Sequence, residues 1–169
     1  MILKPAAGLG TIALLTVTAA AQGQSGLRAT VSTGIFPSLT QVAPVDPIGI
    51  GLEFTPEWRW RSGVGIGVGF RYVVYSGVPN HGSLFLEAKW VAASGTIRPI
   101  LGLRAGLFGG GDDGVDEGYF GVQAGPMVGF EKPISPNTSL VILGTALGTA
   151  GVYRSAQLMP GLQFGVAVR

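Results

Sequence analysis

Gly63-Val-Gly-Ile-Gly-Val-Gly-Phe70 places a glycine at every second position and a large apolar residue at each position between. A dinucleotide-binding loop needs glycines at its first, third and sixth positions, but the sixth residue from Gly63 is Val68 and from Gly65 is Phe70. No Gly-Lys-Ser/Thr follows, which removes the Walker reading as well. A flexible linker alternates glycine with serine or other polar residues, not with Val, Ile and Phe. What remains is strict period two, the signature of a strand whose two faces meet different surroundings.

The rest of the chain repeats this pattern. Clusters of Gly, Pro, Asn, Asp and Ser divide it into eight segments: Leu27 to Phe36, Ile48 to Trp58, Ser62 to Tyr75, Ser83 to Val91, Ile97 to Phe108, Tyr119 to Phe130, Ser139 to Tyr153 and Leu158 to Val168. None carries a 3.6-residue apolar stripe, and glycine at 29 of 169 positions would be costly in helices. The expected fold class is all-β. In the second segment Ile48, Ile50, Leu52, Phe54 and Trp58 share one parity, and Gly49, Gly51, Glu53, Thr55 and Glu57 the other. In the fifth, Leu101, Leu103, Ala105 and Leu107 oppose Arg98, Gly102, Arg104 and Gly106. The first and seventh segments alternate more weakly.

Such alternation arises in a soluble barrel with its apolar face inside, or in a membrane barrel with that face outside. The polar face decides. A solvated exterior carries dense charge, whereas this face is glycine, a few glutamines and eight scattered charges: Arg28, Glu53, Glu57, Arg71, Glu87, Lys89, Arg98 and Arg104. Small residues beside a few long ones suit the lumen of an eight-stranded barrel, which is just wide enough for side chains to fill. The mean hydropathy of +0.45, with only 12% charged residues, points the same way. The expectation is an eight-stranded antiparallel up-and-down transmembrane β-barrel.

The amino terminus reads as a secretory signal peptide: Lys4, an apolar run from Ala6 to Val17, and small residues ending Ala19-Ala20-Ala21. The run is short for a membrane-spanning helix, and cleavage is expected after Ala21, leaving residues 22–169 as the barrel domain. Cysteine is absent, so no disulfide framework or thiolate metal site is available. Eleven Lys and Arg against nine Asp and Glu give no basic surface for nucleic acid. With the amino terminus on the periplasmic side, Trp58, Trp60, Trp90 and Phe130 fall at the periplasmic ends of their segments, and Phe36, Tyr72, Tyr75, Phe108, Phe120 and Tyr153 at the outer ends. The expectation is two interfacial aromatic belts.

These residues resemble the small outer-membrane barrel superfamily, the group of the OmpA transmembrane domain, OmpX and Ail. The resemblance spans Leu27 to Arg169 and rests on alternation and strand count. One piece is more specific: Gly161-Leu-Gln-Phe164-Gly-Val166 resembles the glycine, aromatic, hydrophobic spacing read by the barrel assembly machinery. The resemblance implies a monomer in outer-membrane lipid, assembled by that machinery, without a cofactor or metal.

Charges facing a low-dielectric lumen are expected to pair. Reflecting the strands about the loop from Gly77 to Gly82 sets Arg71 roughly opposite Glu87, and reflecting about Ser94 to Thr96 sets Arg104 within one step of Glu87. The expectation is an Arg71, Glu87, Arg104 clamp, acting as a packing and register device or as the gate of a narrow pore. His81-Gly-Ser83 resembles the H-x-S motif of the outer-membrane lipid A deacylases, but the asparagine that follows in that family is missing and its place in the chain differs. The histidine is expected to be a loop residue and the protein not to be an enzyme. The acidic stretch Gly109 to Gly118 lacks EF-hand spacing, and Trp58-Arg-Trp-Arg61 reads as a short turn within an aromatic belt. The expected role is structural or surface-interacting, with Pro37 to Pro47 and Gly109 to Gly118 displayed outward. The alternatives are passage of small solutes and a secreted soluble barrel holding an apolar ligand.

Overall fold

Alternation along each segment produces eight strands, because period two lets each strand bury one face while the other meets an apolar surrounding. The computed structural model describes residues 25–37, 48–75, 80–111, 119–152 and 154–169. The strands are β1 (Gly26–Pro37), β2 (Ile48–Arg59), β3 (Val64–Tyr75), β4 (His81–Val91), β5 (Arg98–Gly110), β6 (Tyr119–Pro133), β7 (Thr138–Val152) and β8 (Arg154–Val168). Each pairs antiparallel with its neighbours in sequence, and β1 pairs with β8 from Ala29 with Val168 to Ile35 with Leu162, closing the barrel. Closure leaves no free sheet edge, which a hydrocarbon surrounding demands because nothing there can satisfy unpaired backbone groups. The segment 1–21, expected to be a signal peptide, lies outside the described residues, as do Tyr153 and most of the two stretches expected to be displayed outward.

One end of the barrel carries short turns. Between β2 and β3, Trp60 N–H donates to Val64 O at 2.8 Å and Gly63 N–H to Trp60 O at 3.0 Å. Gly63 adopts φ +87°, a left-handed conformation that side chains disfavour, so the opening glycine of the GVGIGVGF stretch belongs to the turn and the strand starts at Val64. The turns after β4 and β6 lie at the same end, where Ala92 N–H donates to Pro99 O and Ile134 N–H to Thr138 O. At the opposite end β1 stops at Pro37, β3 at Tyr75 and β5 at Gly110.

Among the described residues the exterior is predominantly apolar. Leu52, Leu86 and Leu103 are 60%, 62% and 66% exposed, and the other outward positions of β2 to β5 are mainly Val, Ile, Leu, Phe and Trp. A surface of this kind is untenable in water and matches hydrocarbon. The soluble-barrel alternative requires these side chains to point inward, and they point outward. An Arg or Lys facing the bilayer midplane costs about 2 to 4 kcal/mol. A one-residue slip of β2 would turn Glu53, Glu57 and Arg59 into lipid together, so its register is strongly specified.

Of the expected belt aromatics, Trp58, Trp60 and Trp90 at the short-turn end, Phe130 near it, and Tyr72 and Phe120 at the other end face outward. Phe36, Tyr75 and Phe108 do not. They have the parity of Arg28, Arg71 and Arg104 on their own strands and are buried in the lumen. Position along a strand places a ring near an interface, but the parity of the residue decides which side of the wall it is on.

These rings explain much of the glycine face. A Cβ on Gly69 would overlap the ring of Phe85, and one on Gly51 or Gly161 would lie 2.7 Å from a ring carbon of Phe36. A Cβ on Gly121 would lie 2.7 Å from Phe108 Cζ. Inward aromatic rings thus occupy the room the glycines leave, at interior packing density. Two apolar clusters fill the rest. Val91, Ile100, Met127, Val141, Leu143 and Ala167 pack toward the short-turn end, and Phe36, Val73, Tyr75, Leu147 and Met159 toward the other.

Candidate functional site

The charges expected to face inward do so. Arg28, Glu53, Glu57, Arg71, Glu87, Lys89 and Arg104 are buried, and Arg98, at the start of β5, is partly exposed. Burial at this level obliges each charge to find a partner, since an isolated ion in a low-dielectric interior is very costly.

At mid-barrel two arginines share one carboxylate. Arg104 forms a fork on Glu53, Nη1 to Oε2 at 2.7 Å and Nη2 to Oε1 at 2.8 Å, and its Nη2 also donates to Glu87 Oε2 at 2.7 Å. Arg71 reaches Glu53 with Nε at 3.2 Å from Oε2. Gln163 Nε2 donates to the same oxygen at 3.2 Å, so Glu53 collects hydrogen bonds from β5 and β8 and an ion pair from β3. The ring of Phe85 lies 3.8 Å from Arg104 Cζ and 5.6 Å from Arg71 Cζ, and Phe36 supports Arg71 at 4.8 Å. These ring faces supply cation–π attraction where water is excluded.

From Glu87 the network runs toward the short-turn end. Lys89 Nζ lies 2.7 Å from Glu87 Oε1 and 2.7 Å from Glu57 Oε2, and Glu57 pairs in turn with Arg59. Arg59 Nη1 then meets Glu131 Oε2 at 2.6 Å. Arg28 binds both oxygens of Glu131, at 3.1 and 3.2 Å, and Ser139 Oγ donates to Oε1 at 3.0 Å. One chain of contacts therefore connects Arg71 at mid-barrel to Arg28 near the short-turn mouth, drawing on β1 to β6 and touching β7 and β8.

The expected Arg71–Glu87 contact does not form. Arg71 is opposite Ser83 on β4, and Glu87 is opposite Gly67 on β3, four residues away. The β3–β4 ladder already pairs Val73 with His81, so the hairpin is centred nearer β3 than the Gly77 to Gly82 reflection assumed. Glu87 and Arg104 are direct cross-strand partners, and Glu53 takes the place assigned to Glu87 in linking two arginines. Arg59 and Glu131 belong to the network yet fall outside the expected set. Both lie just past the segments read as ending at Trp58 and Phe130, and both continue the inward parity of Glu57 and Gly129. Extending each alternation would have found them.

His81 opens β4 and is not a loop residue. It points inward and stacks on Phe108 with ring centroids 4.9 Å apart and planes 14° apart, with Tyr119 6.2 Å away. Tyr119 Oη donates to Asn80 O at 2.9 Å, tying the group to the barrel rim. Ser83, on the same face, is also buried. Among the described residues no group of His, Asp and Glu is arranged to hold a metal ion.

No family model matches the chain, and no curated protein matches it. Solved structures do. Neisserial surface protein A aligns with a TM-score of 0.74 at 15% identity, covering 87% of this chain and 97% of that one. The amino-terminal β-barrel domain of Pseudomonas aeruginosa OprF aligns with a TM-score of 0.50 at 15% identity, over 85% and 99%. Ail, the attachment invasion locus protein of Yersinia pestis, aligns with a TM-score of 0.51 at 11% identity, over 86% and 98%. The fold is that of the eight-stranded outer-membrane barrels, and the apolar exterior is one that a bilayer solvates.

Proposed function

We propose that the protein resides in an outer membrane as a non-conducting, non-enzymatic barrel, anchoring the segments that emerge opposite the short turns for structural or surface-interaction roles. One observation carries this reading: the lumen is filled by a connected ion-pair network with apolar clusters packed around it toward both ends. An open water path needs polar walls with room for solvent. Here Leu147 and Phe36 at one end, and Met127 and Ile100 at the other, are almost completely buried.

Two measurements test the proposal. Purified barrel in liposomes is expected to give no swelling with arabinose or glucose beyond that of empty vesicles; swelling at a rate comparable with a general porin would overturn it in favour of a solute pore. For display, the absence of native cysteine makes a single introduced thiol a unique label. Gly111→Cys is expected to react with a membrane-impermeant maleimide on intact cells, and Ser94→Cys, in a short turn, only after permeabilisation. The reverse pattern would show that the short turns face outward.

A further inference from the structure

The charge of the network is unevenly distributed. Toward mid-barrel Arg71, Lys89 and Arg104 are matched by Glu53, Glu57 and Glu87. At the short-turn mouth three guanidiniums, Arg28, Arg59 and Arg98, converge on the single carboxylate of Glu131, and of the three Arg59 alone has a second carboxylate, that of Glu57. That carboxylate is already saturated by two hydrogen bonds from Arg28, one from Arg59 and one from Ser139. Arg98 is left over. Its Nη1 stands 3.9 Å from Glu131 Oε1, beyond hydrogen-bonding distance, and its Nε is buried without a hydrogen-bond partner.

Arg98 is also the member of the group open to solvent, with 22% of its side chain exposed against 3% for Arg28 and 10% for Arg59. Arg169 extends the cluster. Its backbone N–H is fixed on Asn137 O at 2.9 Å, which holds it beside the β6–β7 turn. Partial burial, and then the charge of Arg28, pull its pKa down, with Glu131 opposing. Like charges gathered at a partly exposed site, with donors aimed at a carboxylate that has no lone pair left for them, form a receptor for a further anion.

We infer that the short-turn mouth of the barrel binds an oxyanion of the phosphate class, with Arg98 as its principal ligand and Arg169 beside the approach. The planar guanidinium of Arg98 matches two oxygens of a tetrahedral phosphate in a fork that chloride cannot reproduce. Within this mouth the anion restores the charge balance that Glu131 alone does not provide. Such a phosphate comes from one of two sources, a phospholipid headgroup at the adjacent membrane interface or a soluble phosphate compound entering from the aqueous side.

The test uses the folded barrel in maltoside micelles, which carry no phosphate. Inorganic phosphate is titrated by calorimetry and by the side-chain Nε–Hε resonances of the arginines. Saturable binding is expected, with the Arg98 resonance moving. Arg98→Gln is expected to weaken it at least tenfold while the protein keeps its heat-modifiable electrophoretic mobility, because Arg98 makes no hydrogen bond that the barrel would lose. Arg98→Lys is expected to restore part of the affinity, and Arg61→Gln, in the adjacent turn, to leave it unchanged. Absence of saturable phosphate binding, or binding indifferent to Arg98→Gln, would overturn the assignment. Repeating the titration in phosphatidylglycerol nanodiscs separates the sources: a loss of apparent phosphate affinity identifies the headgroup as occupant, and an unchanged affinity identifies a soluble anion.

Discussion

Arg104 on β5 and Glu53 on β2 meet across the barrel in a two-pronged pair with contacts of 2.7 and 2.8 Å, although their strands are not neighbours and the residues are 51 apart in sequence. Wall hydrogen bonds fix adjacent strands, but only lumen contacts of this kind tie non-adjacent strands together. Removing one partner of a buried pair leaves an uncompensated charge, which costs about 3 to 5 kcal/mol. Glu53→Ala, which strands Arg71 and leaves Arg104 only Glu87, is expected to destabilise the barrel by about that amount in urea titrations in lipid vesicles. Replacing Glu53 and Arg71 together by Leu and Met is expected to recover most of the loss, because Arg104 then keeps Glu87. A Glu53→Ala barrel with wild-type stability would show that the network is not load-carrying.

The match between ring and glycine makes a second prediction. A side chain at Gly69 would occupy the position of the Phe85 ring, and that ring also supports Arg104. Gly69→Leu is expected to prevent formation of the folded, heat-modifiable species, and Gly69→Leu with Phe85→Ala to restore a measurable fraction of it. Gly67→Leu tests the neighbouring position, where even a Cβ would lie 2.9 Å from Pro56 O. If Gly67→Leu and Gly69→Leu both fold and insert normally, the lumen is not packed as described.

The lipid-facing wall responds to charge according to depth. Leu103, at the middle of β5, is outward and highly exposed, and Ile97 is outward in the turn before that strand. Leu103→Arg is expected to cost about 2 to 4 kcal/mol in bilayer folding titrations, and Ile97→Arg about 0 to 1 kcal/mol. Equal costs at the two positions would mean that the bilayer does not cover the wall as its hydropathy indicates.

Breaking the network alone should not open the barrel. In Glu87→Ala, Lys89 keeps Glu57 and Arg104 keeps Glu53, while both apolar clusters stay in place. Planar-bilayer recordings of wild type and Glu87→Ala are expected to be equally silent. Discrete conductance steps confined to the variant would identify Glu87 as part of a gate.

Much of this molecule was legible because side-chain direction in a strand is a local property. Ile66, Val68 and Phe70 alternate with Gly65, Gly67 and Gly69, and no partner is needed to know that these are two faces; sparse charge on the glycine face then told that this face is the barrel's interior and not a solvated surface. The pairing of hairpin neighbours was partly legible too: Glu87 with Arg104 came within one step of its true register, whereas Arg71 was misplaced by four residues, because the centre of the β3–β4 hairpin depends on its loop and not on the strands. Arg59 and Glu131 were missed where strands ran a little past the points at which turn residues suggested they stop.

The sequence by itself therefore determined the class of the fold, the number of strands and the face on which each side chain lies, since all three follow from a two-residue period and the turns that interrupt it. Tertiary structure decided what the inward residues touch. The partners of Glu53 on β5 and β8, the gathering of Arg28, Arg59 and Arg98 around Glu131, and the lodging of Phe36 over Gly51 and Gly161 join strands far apart in the chain. Such contacts are set by closure of the barrel and by the stagger between strands, and neither quantity is encoded in any one strand.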